Sequence, residues 1–225
     1  MTLNSSLLQK IQNILSRAVI PNLTSNSSGD DLYEAYVWSI VIEAAKNKGA
    51  TVEFKDVNGN AVASDYYFRT SPSELWWSSR DYCHAEIDFP NCPILEAHTG
   101  VYVAGKSDVR HECDVAVLHK TEADICRSNH VLPRPSKVLL AVECKYYVNS
   151  NPGLGLARGF LGLREEIQRE NRFFIATSHS KSVEKLLSKH TRDYELKFTP
   201  VIPHNIDVIR GVFEAVFAKF KGQHS

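Results

Sequence analysis

The chain carries no net charge: 26 basic residues balance 26 acidic ones. A neutral protein sets up no global field to gather nucleic acid onto its surface. Any run approaching the ~18 apolar residues of a membrane span is also missing. The expectation is a soluble, cytoplasmic protein with no membrane partner. The five cysteines are odd in number and irregularly spaced, which argues against a disulfide framework. No pair has the CxxC spacing that marks a zinc site, although Cys83, His84, Cys92, His98, Cys113, Cys126 and His130 are ligand types. There is no internal repeat. "GLGLARG" lacks the Lys-Ser/Thr ending of a phosphate loop.

The 225 residues are enough for one domain of generous size. The opening is amphipathic rather than signal-like, with Leu7, Leu8, Ile11, Ile14, Leu15 and Ala18 at helical spacing. A polar loop, "PNLTSNSSGD", follows it. The spacing predicts a helix over 31–47 that stops at Gly49. "TVEFKD" and "AVASDYYFR" read as a hairpin. The segment 71–93 resists assignment, and its aromatics are core, a partner surface or a base-stacking platform. "ILEAHTGVYVAG", "CDVAVLH" and "KVLLAVECKYY" read as three consecutive strands. A helix (154–170), a strand (172–179), a helix (181–190), a strand (194–203) and a last helix (205–221) follow. The organisation expected is one domain over 1–225: an N-terminal helix and loop (1–29), a core (30–180) and a helix–strand–helix extension (181–225). Helices alternating with strands imply an α/β fold, a mixed central sheet flanked by helices.

The chemistry concentrates in two strands. Asp114 opens the apolar run "DVAVL", and Glu143 and Lys145 close "KVLLAVECK". Alternation along a strand turns Glu143 and Lys145 to the same side. Buried charges are costly unless paired or bound to something. If the strands are neighbours, Asp114 and Glu143 converge at one sheet edge, and their repulsion calls for a proton or a cation between them. Magnesium takes oxygen ligands of this kind.

Asp114 followed by Glu143-Cys144-Lys145 at the end of a hydrophobic strand resembles the PD-(D/E)XK nuclease superfamily, the restriction-endonuclease-like fold. The chain departs from the family pattern in having Cys113 where the name has proline. The resemblance covers about 90 residues and implies a core of order α-β-β-β-α-β. It implies a Mg²⁺- (or Mn²⁺-) dependent endonuclease acting on nucleic acid, DNA rather than RNA. Asp114 and Glu143 then hold the metal and Lys145 assists the attacking water. Double-strand cutting then implies a homodimer. A catalytically silent relative, or a subunit activated by a recruiting protein partner, stands as the alternative.

The family often adds an acidic residue from the helix before the sheet. At ~100° per residue, Leu32, Ser39, Glu43 and Lys46 form what reads as the solvent stripe, and Glu34 lies opposite. Glu34 is either a catalytic helper or the second half of an Asp31–Glu34 capping box. On the helix after the lysine, Arg164 falls within the apolar arc and Gln168 at its edge, making both candidate substrate ligands. Arg164 alternatively pairs with a structural carboxylate. Gly155, Gly159 and Gly162 on that helix permit close approach of nucleic acid or another helix. Glu96, His98 and Glu112 are further candidates for facing the site.

Overall fold

The computed structural model describes residues 2–15, 19–77, 81–167 and 170–224; Ala18 and Gln168 lie outside them. The chain begins with α1 (Leu3–Leu15), β1 (Ile20–Pro21), α2 (Gly29–Asn47), β2 (Thr51–Asp56), β3 (Asp65–Tyr66) and β4 (Cys83–Asp88). It continues with β5 (Leu95–Ala104), β6 (Arg110–His119), α3 (Lys120–Asn129), β7 (Val138–Lys145) and α4 (Leu154–Glu166). β8 (Arg172–Ala176), α5 (Lys181–His190), β9 (Tyr194–Leu196) and α6 (Pro203–Gly222) complete it.

Seven strands form one mixed sheet in the order β2-β4-β5-β6-β7-β8-β9. The pairs from β2 to β7 are antiparallel, and β7, β8 and β9 run parallel. The fold is therefore α/β, with helices on both faces. β8 displays the layering clearly. Phe173 and Ile175 join the core under α1, α2 and α6, while Phe174 and Ala176 join the one under α4 and α5. This is the period-two alternation of a strand covered on both sides. The C-terminal extension is integral to the sheet: β9 lengthens it and Phe213, Phe217 and Phe220 of α6 enter the main core.

Helix α2 is the centre of that core. Leu32 and Ser39, expected on a solvent stripe, are fully buried. Glu43 instead reaches Arg210 of α6 at 3.6 Å. The helical wheel marks polarity but carries no information about the two helices, α1 and α6, that cover this stripe. The buried hydroxyl of Ser39 is satisfied by donating to the Tyr36 carbonyl at 2.6 Å. Trp38 Nε1–H donates to the Ala97 carbonyl at 3.1 Å and Tyr33 Oη–H to that of Phe198 at 2.9 Å, so both rings are buried without orphaned donors. The helix starts two residues earlier than the spacing predicts. Ser28 is its N-cap and accepts from the Asp31 amide at 3.1 Å.

Two further expectations are corrected. The hairpin after β2 is reduced to a single bridge, Lys55 with Ala61, and β3 pairs parallel to β1 instead. The connection between the two motif strands contains a helix, α3.

β5 and β6 are long, and they kink together. Val115 and Val117 pack in the main core, but Cys113 packs with Ala116 and Leu118 in the second. Strict alternation would separate Cys113 from Ala116, so the parity slips near Asp114. Across from that point stands Gly100, at φ +55°. A Cβ there would lie 3.4 Å from Arg69 Cβ and 3.6 Å from Pro72 Cα, contacts that leave ordinary room. The strain of Gly100→Ala is thus conformational, and we expect a loss of ~1–2 kcal/mol in chemical denaturation.

Candidate active site

β6 and β7 stay paired only as far as Val115 with Val142. Beyond that pair the strands part, and the side chain of Asp114 fills the place of the missing ladder partner. Its Oδ2 accepts from the Cys144 amide at 2.6 Å. Asp114 is 4% exposed, so this amide and one cation are its means of satisfaction. The cation is Lys145. Its Nζ lies 3.4 Å from Asp114 Oδ2 and 2.7 Å from Glu143 Oε1. The three motif residues therefore meet around one ammonium, 31 residues apart in sequence at the widest.

The electrostatics show an excess of negative charge. Burial, then Glu143, push the Asp114 carboxyl up to about 7, against the pull of Lys145 and the Cys144 amide. Glu34 approaches from α2. Burial first, then the charges of Asp114, Glu112 and Asp31, push its carboxyl up to about 9. The Lys145 ammonium, which burial alone would weaken, is held above its ordinary value by Asp114 and Glu143. One lysine cannot neutralise three carboxyls, with Glu112 near as a fourth; protons or a divalent cation complete the balance. The oxygen-only donor set of Asp114 and Glu143 suits a hard cation such as Mg²⁺ or Mn²⁺.

The reading of Glu34 as a capping residue falls away, because Ser28 occupies the N-cap and Glu34 sits in the second turn. A stability test follows. A carboxyl whose folded pKa is raised opposes folding increasingly as pH climbs from its ordinary value, 4.5, toward about 9. In chelator, Glu34→Gln should therefore stabilise the protein by ~1–3 kcal/mol near pH 7.5, with the gain vanishing toward pH 4.5. Urea titrations at several pH values would read this out, and a gain independent of pH would contradict it.

Other candidates go elsewhere. Arg164 donates to Asp193 at 2.8 Å, just before β9 and two strands across from β7. That is its structural alternative, and the fold does not bring it to the triad. Gln168 lies outside the described residues. Gly155, Gly159 and Gly162 face open space, with no described residue within 4 Å of where a Cβ would stand.

Glu96 and His98 do not face the triad. They belong to a second buried group shared by β4, β5 and α3. Glu96 is fully buried and accepts from His98 Nε2 at 3.0 Å and from Arg127 Nη1 at 3.1 Å, with Lys120 Nζ at 3.5 Å. His84 stacks on His98, ring centres 5.0 Å apart. Burial pushes His84 down to about 3 and His98 down to about 4, so both rings are neutral at pH 7. Burial alone would raise the Glu96 carboxyl, but the hydrogen bonds from His98 and Arg127 outweigh it and hold it well below its ordinary value. His84, Glu86 and Glu96 offer ligand atoms within 4.8 Å of one another, the one such group of three among the described residues. Both oxygens of Glu96 are already engaged by cations, so the group reads as an internal ion-pair network. Sequence reasoning named His84, Glu96 and His98 but did not join them into one group with Arg127, because the members come from three separate segments and carry no spacing signature.

Compared with known proteins, the chain matches no family model, no curated protein and no solved structure. No helix among the described residues is long and apolar enough to cross a membrane.

Proposed function

We propose that the protein is a divalent-metal-dependent nuclease of the PD-(D/E)XK type that hydrolyses phosphodiester bonds, in DNA rather than RNA. One observation carries the reading: Asp114 and Glu143 sit on a single ammonium, Lys145, in the opening between two parting strands. With β2–β4 inserted after α2 and α3 inserted between β6 and β7, the elements α2, β5, β6, β7, α4 and β8 follow one another in the sequence the resemblance implies, which supports it.

Asp114 and Glu143 would hold the cation, and Glu34 would complete the ligand set or orient a water. When bound, the cation supplies a Lewis acid that polarises the phosphate and lowers the pKa of water. Lys145 is held charged, and it places an N–H donor where a water or a non-bridging phosphate oxygen can accept. The Cys144 amide fixes the Asp114 carboxylate in one orientation, which pre-sets the site.

The neutral overall charge favours a second reading, in which a partner recruits or activates this subunit, because non-specific affinity for phosphates is then weak and salt-sensitive. Plasmid and single-stranded DNA incubated with Mg²⁺, Mn²⁺ or chelator decide the matter. Metal-dependent cutting by the isolated chain supports the nuclease. Cutting only with a partner supports the recruited form. Binding without cutting under every condition sinks both enzymatic readings.

A further inference from the structure

A cavity on the β5–β6 side of the fold is not part of the acidic constellation. It measures about 920 Å³, a volume typical of a small-ligand pocket. Its walls come from Asn22, from residues 67–74, from Trp77, Asp81 and Tyr82, and from Tyr102 of β5 and Arg110 of β6. The 67–74 segment docks on the free edge of β5: Ser73 N–H donates to the Gly100 carbonyl at 3.0 Å and Tyr102 N–H to that of Ser73 at 3.1 Å.

Three features of the walls point to one kind of ligand. The first is exposed aromatic surface. Trp77 is 52% exposed and Tyr67 39% exposed, whereas their neighbours Tyr66 and Phe68 are buried against Trp38. The aromatic group of this region thus divides into a core half and a solvent half, and the solvent half lines the cavity.

The second is Arg69, which is 8% exposed and lies in the wall. Among the described residues it forms no ion pair. Its guanidinium covers the Tyr82 ring at 3.6 Å and reaches the Gly100 and Glu74 carbonyls, at 3.5 and 3.3 Å. Its Nε has no acceptor. A buried guanidinium with long bonds and an orphaned N–H is short of an acceptor.

The third is charge. Among the described residues, the charged members of the lining are Arg69, Arg110, Glu74 and Asp81, two of each sign. Arg110 is already held by Glu74 at 3.0 Å, with its guanidinium 4.2 Å from the centre of the Tyr102 ring. A balanced lining does not concentrate phosphate. It suits a flat, uncharged ring whose edge both donates and accepts hydrogen bonds.

Position supplies the identity of that ring. Tyr102 stands directly across from Glu112, and Glu112 is next but one to Asp114. The charge of Glu112 reaches both Asp114 and Glu34. Along β6, Arg110 and Asp114 are separated by ~13 Å at the usual strand rise, a span of a few nucleotides. We propose that this cavity receives an unpaired nucleobase of the strand whose phosphate lies at Asp114, Glu143 and Lys145. The inference deepens the nuclease reading and rests on it for the placement of the strand. Trp77 and Tyr67 supply stacking faces, and Arg69 with Glu74 and Asp81 supplies donors and acceptors for the base edge.

The test is a binding measurement in chelator, where cleavage plays no part. A fluorescently labelled single-stranded oligonucleotide of mixed sequence is titrated with the full chain and followed by anisotropy. The same strand carrying abasic sugars serves as the comparison. We expect the abasic strand to bind roughly tenfold more weakly, and Trp77→Ala to lose a similar factor on the intact strand only. Trp77→Phe should recover most of it. Equal affinity for the two strands, no measurable binding of the intact one, or an equal loss on both strands with Trp77→Ala would overturn the pocket. The abasic comparison uses the unaltered protein, so it stands whatever the variant does to folding. Base-dependent binding without metal-dependent cleavage would sink the nuclease alone, whereas cleavage without base dependence would sink the pocket alone.

Discussion

Lys145→Ala should abolish metal-dependent cleavage, by a factor on the order of 10²–10⁴. It should also make folding more dependent on divalent cations. The two effects share one cause. The ammonium is the only cation lying on both Asp114 Oδ2 and Glu143 Oε1 among the described contacts, at 3.4 and 2.7 Å. Without it, buried carboxyls face one another with a single amide as compensation. The metal-free variant should melt below wild type, and Mg²⁺ or Mn²⁺ should raise its melting temperature by more than it raises that of wild type. Calorimetry with and without cation, alongside plasmid cleavage, separates the outcomes. If the variant still cuts at wild-type rate, the lysine has no part in the chemistry. If cations shift neither protein, Asp114 and Glu143 do not form a metal site.

The largest effect on stability alone should come from the second buried group. Glu96→Ala leaves Arg127, Lys120 and the two stacked histidines without their shared acceptor. Removing one member of a buried ion pair strands the other charge in low dielectric, at a cost of ~3–5 kcal/mol. Arg127 is the residue most affected, since its side chain is only 20% exposed, both of its Nη groups reach Glu96, and it would keep the half-exposed Asp124, 3.1 Å from Nη1, in place of the buried Glu96. Glu96→Gln keeps one acceptor oxygen and should cost less. Guanidinium titrations at pH 7 would rank the two variants. A loss of under ~1 kcal/mol for Glu96→Ala would mean that the group is solvated and not a buried network.

The two predictions also separate the roles of the two acidic centres. Cleavage should respond to Lys145 and survive in any Glu96 variant that remains folded. Glu96 sits under α3, on the strand pair β4–β5, while the triad sits where β6 leaves β7. Both centres are charged and largely buried. They differ in how the buried carboxylate is paired: Glu96 is engaged by both Arg127 and Lys120, whereas Asp114 and Glu143 share the single ammonium of Lys145.

Much of this was legible in the sequence. Apolar runs of strand length gave β5, β6, β7 and β8, and helical spacing gave α1, α4, α5 and α6, because backbone periodicity is a local property of the chain. The identity of Asp114, Glu143 and Lys145 as a charged set was legible for a related reason. A glutamate and a lysine two apart at the end of "KVLLAVECK" violate the apolar pattern around them. Glu34 stood out in the same way, on the wheel of α2. The stripe of Leu32, Ser39 and Glu43 misled, because α6 covers it and arrives more than 150 residues later. His84, Glu96 and His98 were visible as candidates, but not as one group with Arg127, since the residues that pair with Glu96 come from other segments.

By itself, the sequence determined the α/β alternation, the seam between strands and helices, and which few charged residues had no ordinary place in their elements. Each follows from interactions within a turn or a strand, whose period is fixed by backbone geometry. Only the tertiary structure decided that Asp114 takes the ladder position left open by β7, that Lys145 bridges it to Glu143, and that Trp77 and Tyr67 stay outside the core while Tyr66 and Phe68 go in. Those outcomes depend on where β6 parts from β7 and on what packs over each face, and contacts between distant segments are set by the whole core at once.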